Sequence, residues 1–286
     1  MLRIKFSGGR QFSSSKSPTS CSCNTLADII KQTETRMRKT ICIIILLMTV
    51  NYLYGQKSTT NQNLIWYGLF TTIDINEKWY FQNELQERHY INPTAQHQFL
   101  MRSHLHRLLG KSGWETSLGM CLFLQNPNDP NATAKLTVPE LRPHIEFAYK
   151  QKLDKVTLDH RYRAEARFFH STNQARTELE DGFEFGNYRF RYRLQATIPL
   201  LKVAESRTLK FKISDEIHIN AGNKISKNVF EQNRIYAGIN YDLLPNLSFE
   251  VGYLNWFQQR PNGDFYNRNI LRLTVFHKIR LKGNEK

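Results

Sequence analysis

From residue 63 to residue 281 this sequence repeats one pattern, and that pattern limits the folds open to it. Runs of about 10 to 15 residues alternate apolar with polar side chains, and short clusters rich in Asn, Gly, Asp, Pro and Lys separate them. In 156–170, Val156, Leu158, Tyr162, Ala164, Ala166 and Phe168 alternate with Thr157, Asp159, Arg161, Arg163, Glu165 and Arg167. Tyr188, Phe190, Tyr192, Leu194, Ala196 and Ile198 alternate in the same way with Arg189, Arg191, Arg193, Gln195 and Thr197. A period of two is the geometry of a strand, whose successive side chains point to opposite faces; a helix repeats every 3.6 residues. Run length then separates the kinds of β protein. Strands of soluble domains measure about 5 to 6 residues, whereas a strand crossing a bilayer at a tilt needs about 9 to 11. The runs here have the longer measure.

Eleven runs can be marked: 63–75, 78–91, 97–109, 114–125, 138–150, 156–170, 183–199, 208–220, 232–242, 247–258 and 268–281. The fold they predict is all-β, a closed antiparallel transmembrane β-barrel. Bacterial single-chain barrels have an even strand number, so the expectation is about 12 strands, within 10–12. Connections sort into two alternating classes. Short ones lie near Asn76, Lys111, Asp154 and Pro245, and longer polar ones at 126–137, 171–181, 221–231 and 259–266. This is the pattern of tight periplasmic turns and longer external loops. Aromatic residues gather near the run ends, among them Trp66, Tyr80, Trp114, Tyr253 and Trp256, where membrane barrels carry interfacial girdles.

The segment 37–55 has the three parts of a secretory signal peptide: basic Arg38 and Lys39, an apolar run over 41–50, and small Gly55 at the end. The apolar run is too short to span a bilayer as a helix, which takes roughly 20 residues. Met37 heads this segment, so 1–36 reads as an over-extended start and 56–286 as the barrel. Residues 1–55 hold 8 Lys+Arg against 2 Asp+Glu, so the formal charge of +15 falls to +9 without them. Of the four cysteines only Cys121 remains, which excludes an internal disulfide and a cysteine metal site. The positive charges alternate with apolar residues instead of forming the contiguous patch that nucleic acid requires, so no nucleic-acid partner is expected.

Several local patterns resemble the bacterial outer-membrane barrels catalogued as domain of unknown function 2490. They are Trp79 with Asn83-Glu84-Leu85-Gln86-Glu87-Arg88, Pro139-Glu140-Leu141-Arg142-Pro143, and the alternating Arg/Glu series of 158–168. The series continues in 188–194, in Glu231-Gln232-Asn233-Arg234, and in Gly252-Tyr253. The resemblance spans 64–281. It implies a location and a fold, and no activity.

Parity places a dense set of charges in the lumen: Glu84, Arg88, Arg102, Glu140, Arg142, Glu146, Arg161, Arg163, Glu165, Arg167, Arg189, Arg191, Arg193, Glu216, Arg234, Glu250 and Arg272. Arginine on the lipid face at mid-bilayer costs roughly 2–4 kcal/mol each, so Tyr162, Phe168, Tyr188, Phe190, Tyr192 and Leu194 take that face. Two accounts of the charged interior stand side by side. It is a narrow pore favouring anions, tuned by its arginines, or a barrel whose lumen is filled by Arg–carboxylate pairs. His104 and His106 share a face beside Arg102 and could hold part of a metal site, but spacing supplies no third ligand. His144, Ser214, Glu216 and His218 offer the residue types of a lipid hydrolase, yet no Gly-x-Ser-x-Gly elbow and no phosphate-binding glycine loop occurs. The expectation is an outer-membrane barrel without enzymatic activity, cofactor or metal, whose partners are outer-membrane lipid and small anions; the alternative is a phospholipase-like hydrolase.

Overall fold

The structure is a computed structural model, and it describes residues 57–281 except 205, 206, 224, 226 and 227. The expectations for 1–36 and 37–55 lie outside the described residues. No helix occurs among the described residues; eleven strands account for most of them. In chain order they are β1 (Thr59–Asp74), β2 (Trp79–Tyr90), β3 (Ala95–Leu108), β4 (Trp114–Gln125), β5 (Val138–Leu153), β6 (Val156–Thr172), β7 (Leu179–Ala204), β8 (Arg207–Ala221), β9 (Phe230–Leu244), β10 (Leu247–Gln259) and β11 (Phe265–Arg280). Each strand pairs antiparallel with the next, and β1 pairs with β11 to close the barrel.

The expected twelve strands are therefore corrected to eleven. An odd number makes the first and last strands run the same way, so the seam is parallel, from Thr59↔Phe265 to Asp74↔Arg280. A parallel ladder bonds every backbone group along the seam, as an antiparallel one would. No edge is left open there, so the even-number rule was a statement about frequency and not a requirement of closure. A pair of cysteines at Leu69 and Val275, partners in the seam register, tests this directly. Mild oxidation of the L69C/V275C variant should give a cross-link within one chain, seen as a shift on a non-reducing gel. Failure to cross-link while the L69C/L85C pair across β1 and β2 does so would mean an open seam.

Connections 75–78, 109–113, 154–155 and 245–246 lie at one rim. Connections 91–94, 126–137, 173–178 and 260–264 lie at the other, together with the described residues between β8 and β9. Local chemistry makes the tight turns. Asn76 Oδ1 accepts from the backbone N–H groups of Lys78 and Trp79, both at 2.9 Å, a side-chain mimic of a backbone turn. Gly113 has φ +84°, and a Cβ there would meet Lys150 O at 2.6 Å, so both conformation and space demand glycine.

Strand β7 is 26 residues long, and its partner β6 ends early. Beyond Thr197 the segment Ile198–Ala204 pairs with β8 alone, so β7 runs on past β6 as a ribbon with one free edge, while β8 stays paired with β9 as far as Leu209. Pro199 sits on that ribbon, where the edge facing away from β8 has no ladder to lose.

The two faces of the sheet differ as the alternation requires. Tyr162, Tyr188, Phe190 and Leu194 are exposed on the outer face, with Met101, Leu118, Ile145, Val251 and Leu271. Inside, Leu64, Trp66, Tyr90, Tyr236, Leu254, Trp256 and Ile270 form an apolar cluster. Trp66, Trp256 and Tyr80 were expected in an outer girdle. Trp66 and Trp256 are instead buried within the barrel, edge to face at 5.7 Å, and Tyr80 lines an interior cavity. All three sit on the inward parity of their strands. Nearness to a strand end does not decide which face a side chain takes.

Candidate functional site: a charged interior and a vestibule

Arginines and glutamates of β5 to β9 meet in one connected lattice. Glu165, 2% exposed, is its hub. Its carboxylate takes Arg191 Nη1 at 2.8 Å, Arg163 Nη1 at 3.5 Å and Arg189 Nη1 at 3.5 Å. From the hub, Arg163 Nε reaches Glu146 at 2.6 Å, and Arg191 reaches Glu216, which Arg161 Nη2 also holds at 2.6 Å. Towards the long-loop rim, Arg189 donates to Glu231, Glu231 takes Arg167 at 3.3 Å, and Arg167 and Arg142 both grip Glu140 with two nitrogens each. Arg102 pairs with Glu84 at 2.7 Å, and Lys212 and the Tyr236 hydroxyl share Glu250. Ion pairs taken out of water are stable when their remaining donors and acceptors are also met, and bidentate Arg–carboxylate geometry does this well.

The arginines in excess of carboxylates lie against the aromatic cluster. The Arg88 guanidinium is 3.7 Å from the Trp66 ring centre and bonds Gln86 and Gln98. Arg234 lies 4.7 Å and Arg268 4.4 Å from the Trp256 ring, and Arg272 stands 5.1 Å from Tyr236. A guanidinium over an aromatic face is stabilised by the ring quadrupole, more so when desolvated. Thus Glu84, Arg88, Arg102, Glu140, Arg142, Glu146, Arg163, Glu165, Arg189, Arg191, Glu216 and Glu250 are buried inside, and Arg161, Arg167, Arg193, Arg234 and Arg272 are partly buried there. Arg193 stands apart from the lattice, on the wall of a cavity of about 290 Å³ near the short-turn rim.

The interior is closed at its middle. His218 and Arg268 are 0% exposed, and Gln232, Glu165 and Arg163 are nearly so. Between the short-turn cavity and a vestibule of about 410 Å³ at the long-loop rim, the free space shrinks to about 50 Å³. Trp256 Nε1 donates to Gln232 and Gln232 Nε2 donates to His218 Nδ1, tying the aromatic cluster to the lattice across that waist.

Residues that parity missed lie where parity breaks. Arg167 pairs with Asn187 and Phe168 with Phe185, so Gly186 is an extra residue. His218 pairs with Gln232 and Ile219 with Phe230, so Glu231 is extra as well. Arg88 pairs with Gln98 and His89 with Gln96, leaving His97. Each is a β-bulge near the long-loop rim, and a bulge re-aims the side chains around it. His97 and Gln98 are both buried, as are Glu231 and Gln232, although neighbours in a regular strand face opposite ways. The signal in the sequence was two adjacent polar residues at a run's start, as in Glu231-Gln232. Arg268 shares parity with Arg272 and was omitted although the pattern pointed to it.

The remaining candidates sort by register. His104, Gly119 and His144 are cross-strand partners on β3, β4 and β5. A Cβ on Gly119 would lie 2.5 Å from His144 Nε2, so glycine lets the two rings meet, with His144 Nε2 3.3 Å from His104 Nδ1. His106 stacks on Tyr80 at 4.3 Å. Among the described residues no group of three or more His, Cys, Asp or Glu side chains is placed to hold a metal ion. His218 contacts Glu216 at 3.3 Å and lies four residues along β8 from Ser214, about 13 Å at the rise of a strand. His144 is on β5, with His104 and not with Ser214. The hydrolase candidates are not assembled.

A closed barrel with an aromatic and ion-paired interior, opening into a vestibule at one rim, is the class that fold and interior define. Residues 63–267 match the family described as Protein of unknown function (DUF2490), and the chain belongs to it. No curated protein matches the chain. Among solved structures it is similar to LpxR from Salmonella typhimurium, with 10% identity over 69% of this chain and 83% of that one and a TM-score of 0.41. The expectation that the chain is not an enzyme is withdrawn, since nothing here upholds it, and a likeness of this size carries no argument for an activity either. At this level of likeness no residue role passes from one chain to the other.

Proposed function

We propose that the protein is an outer-membrane barrel whose lumen is closed by its Arg–Glu lattice and whose working surface is the vestibule at the long-loop rim. The observation that carries this reading is the buried waist. Glu165, His218, Gln232 and Arg268 are all but inaccessible to solvent, so a hydrated ion has no path past them. The outward face of Tyr188, Phe190, Ile145 and Val251 suits contact with lipid, and the longer loops lie outside the cell. Of the two accounts of the interior, the filled one is favoured over the anion pore, because the arginines at and around the waist are already held by carboxylates or aromatic rings, and Arg193 lies outside it in the short-turn cavity. Outer-membrane lipid is the partner around the barrel, and small anions do not pass through it.

Conductance of the purified chain in a planar bilayer tests this. The expected result is no stepwise current at neutral pH in either polarity. Steps that pass anions in preference to cations would replace this reading with the pore.

A further inference from the structure

Residues lining the vestibule carry buried polar atoms that the protein itself leaves without partners. Asn187 Oδ1, Asn220 Oδ1, Glu231 Oε2 and Gln259 Nε2 are buried and make no hydrogen bond, and all four residues line the 410 Å³ cavity. Asn187 and Glu231 are each 8% exposed. Buried polar groups are normally paired, and an unpaired group signals a role for it. Two of these groups are set by bulges, Glu231 as the extra residue of its strand and Asn187 beside Gly186.

The set has a definite chemistry. Three acceptors and one donor call for a ligand rich in hydrogen-bond donors, which means hydroxyl or ammonium groups. The surroundings decide between them. Glu231 already carries Arg167 and Arg189, and Arg176 and Arg260 stand in the same wall. The wall's two carboxylates, Glu140 and Glu231, are each already held by two arginines, and a cationic ligand would also meet Arg167, Arg176 and Arg260, so ammonium is disfavoured. Hydroxyls on a neutral or acidic framework remain. Phe169, Phe230 and Tyr266 complete the lining, and aromatic rings suit the C–H faces of a sugar ring. The volume lies within the range of small-molecule sites, about 300–1,000 Å³.

We propose that the vestibule binds a saccharide. Its hydroxyls donate to Asn187 Oδ1, Asn220 Oδ1 and Glu231 Oε2, and one hydroxyl accepts from Gln259 Nε2, after side-chain rotations on binding turn these atoms from behind the wall towards the ligand. The proposal rests on the closed-lumen reading, which makes the vestibule a dead-end pocket. A free saccharide and the sugar headgroup of a glycolipid in the outer leaflet present the same hydroxyls.

Titration calorimetry of the full chain in a sugar-free detergent such as an amine oxide tests the site, with maltose and chitobiose as free sugars and their short-chain alkyl glycosides as headgroup mimics. Saturable binding is expected, weakened about fivefold to tenfold by Asn187→Ala and again by Asn220→Ala, which is the usual worth of one hydrogen bond. Asn187→Asp keeps the acceptor in place and should bind as the parent does, which separates loss of contact from loss of fold. Binding of free sugars and glycosides alike would assign a free saccharide, and binding of the glycosides alone a glycolipid. No saturable heat with any of them, or binding indifferent to both alanine changes, overturns the proposal. A barrel that carries no current and binds no sugar refutes the saccharide site alone; one that carries current refutes the closed lumen.

Discussion

Replacing Glu165 with Leu is expected to destabilise the folded barrel by about 3–5 kcal/mol, the usual result of removing one partner from a buried ion pair. Glu165 contacts Arg163, Arg189 and Arg191 in a space with almost no water. After the change Arg163 keeps Glu146, Arg191 keeps Glu216 and Arg189 keeps Glu231. All three would still face an apolar side chain where a carboxylate had been. The measurement is the urea midpoint for unfolding from lipid vesicles, followed by tryptophan fluorescence. Glu87→Leu serves as the comparison. Glu87 pairs with His89 at a solvent-accessible site, and exposed pairs are worth about 0–1 kcal/mol. Equal midpoints for the two variants would mean that the lattice does not hold the interior together.

How much of this could be read from the sequence depends on which device sets each residue. Strand identity and facing follow from a period of two, which survives as long as the ladder is regular. Arg161, Arg163, Glu165 and Arg167 on β6 and Arg189, Arg191 and Arg193 on β7 were placed by that rule alone. The strand number was also legible. The runs numbered eleven, and the preference for an even number drew the expectation away from them. What parity could not supply was anything at a bulge. Glu231 lies one residue out of phase with Arg234, so counting by twos along β9 sends it outward, while the bulge turns it in against Arg167 and Arg189. The vestibule is built largely from such positions and from loop residues. Function concentrates where the pattern fails, because a regular strand fixes facing and leaves little freedom to converge side chains on one point. The pairing of arginines with aromatic rings was illegible for another reason. Trp66, Arg88 and Arg234 lie on three different strands, and their contact depends on the inter-strand stagger, which no single run encodes.

The outer face makes the second large prediction, and it also locates the bilayer. Phe190 lies where β7 pairs on both sides, with Ala164 and Ile219, and its side chain is 50% exposed. In Phe190→Arg a guanidinium would have to sit among lipid chains, at a cost of about 2–4 kcal/mol near the bilayer midplane. Folding into phosphatidylcholine vesicles should become correspondingly weaker, read as a lower urea midpoint than the parent's. Leu201→Arg is the informative partner. Leu201 is as exposed as Phe190 and as apolar, yet it lies on the ribbon past the last residue that β6 can pair. The apolar band of such barrels is about 25 Å tall, and charged substitutions near its edges cost about 0–1 kcal/mol. The ribbon adds seven residues beyond Thr197, roughly 23 Å of strand, and carries Lys202, Arg207 and Lys210 among its apolar side chains. Lysine and arginine at that density fit an aqueous or interfacial setting and not the hydrocarbon layer. The expected pair of results is therefore a large loss at Phe190 and a small one at Leu201. Equal losses would place the ribbon inside the bilayer and shift the membrane towards the short-turn rim. No loss at Phe190 would mean that this face does not meet lipid, and the outer-membrane reading would fall with it.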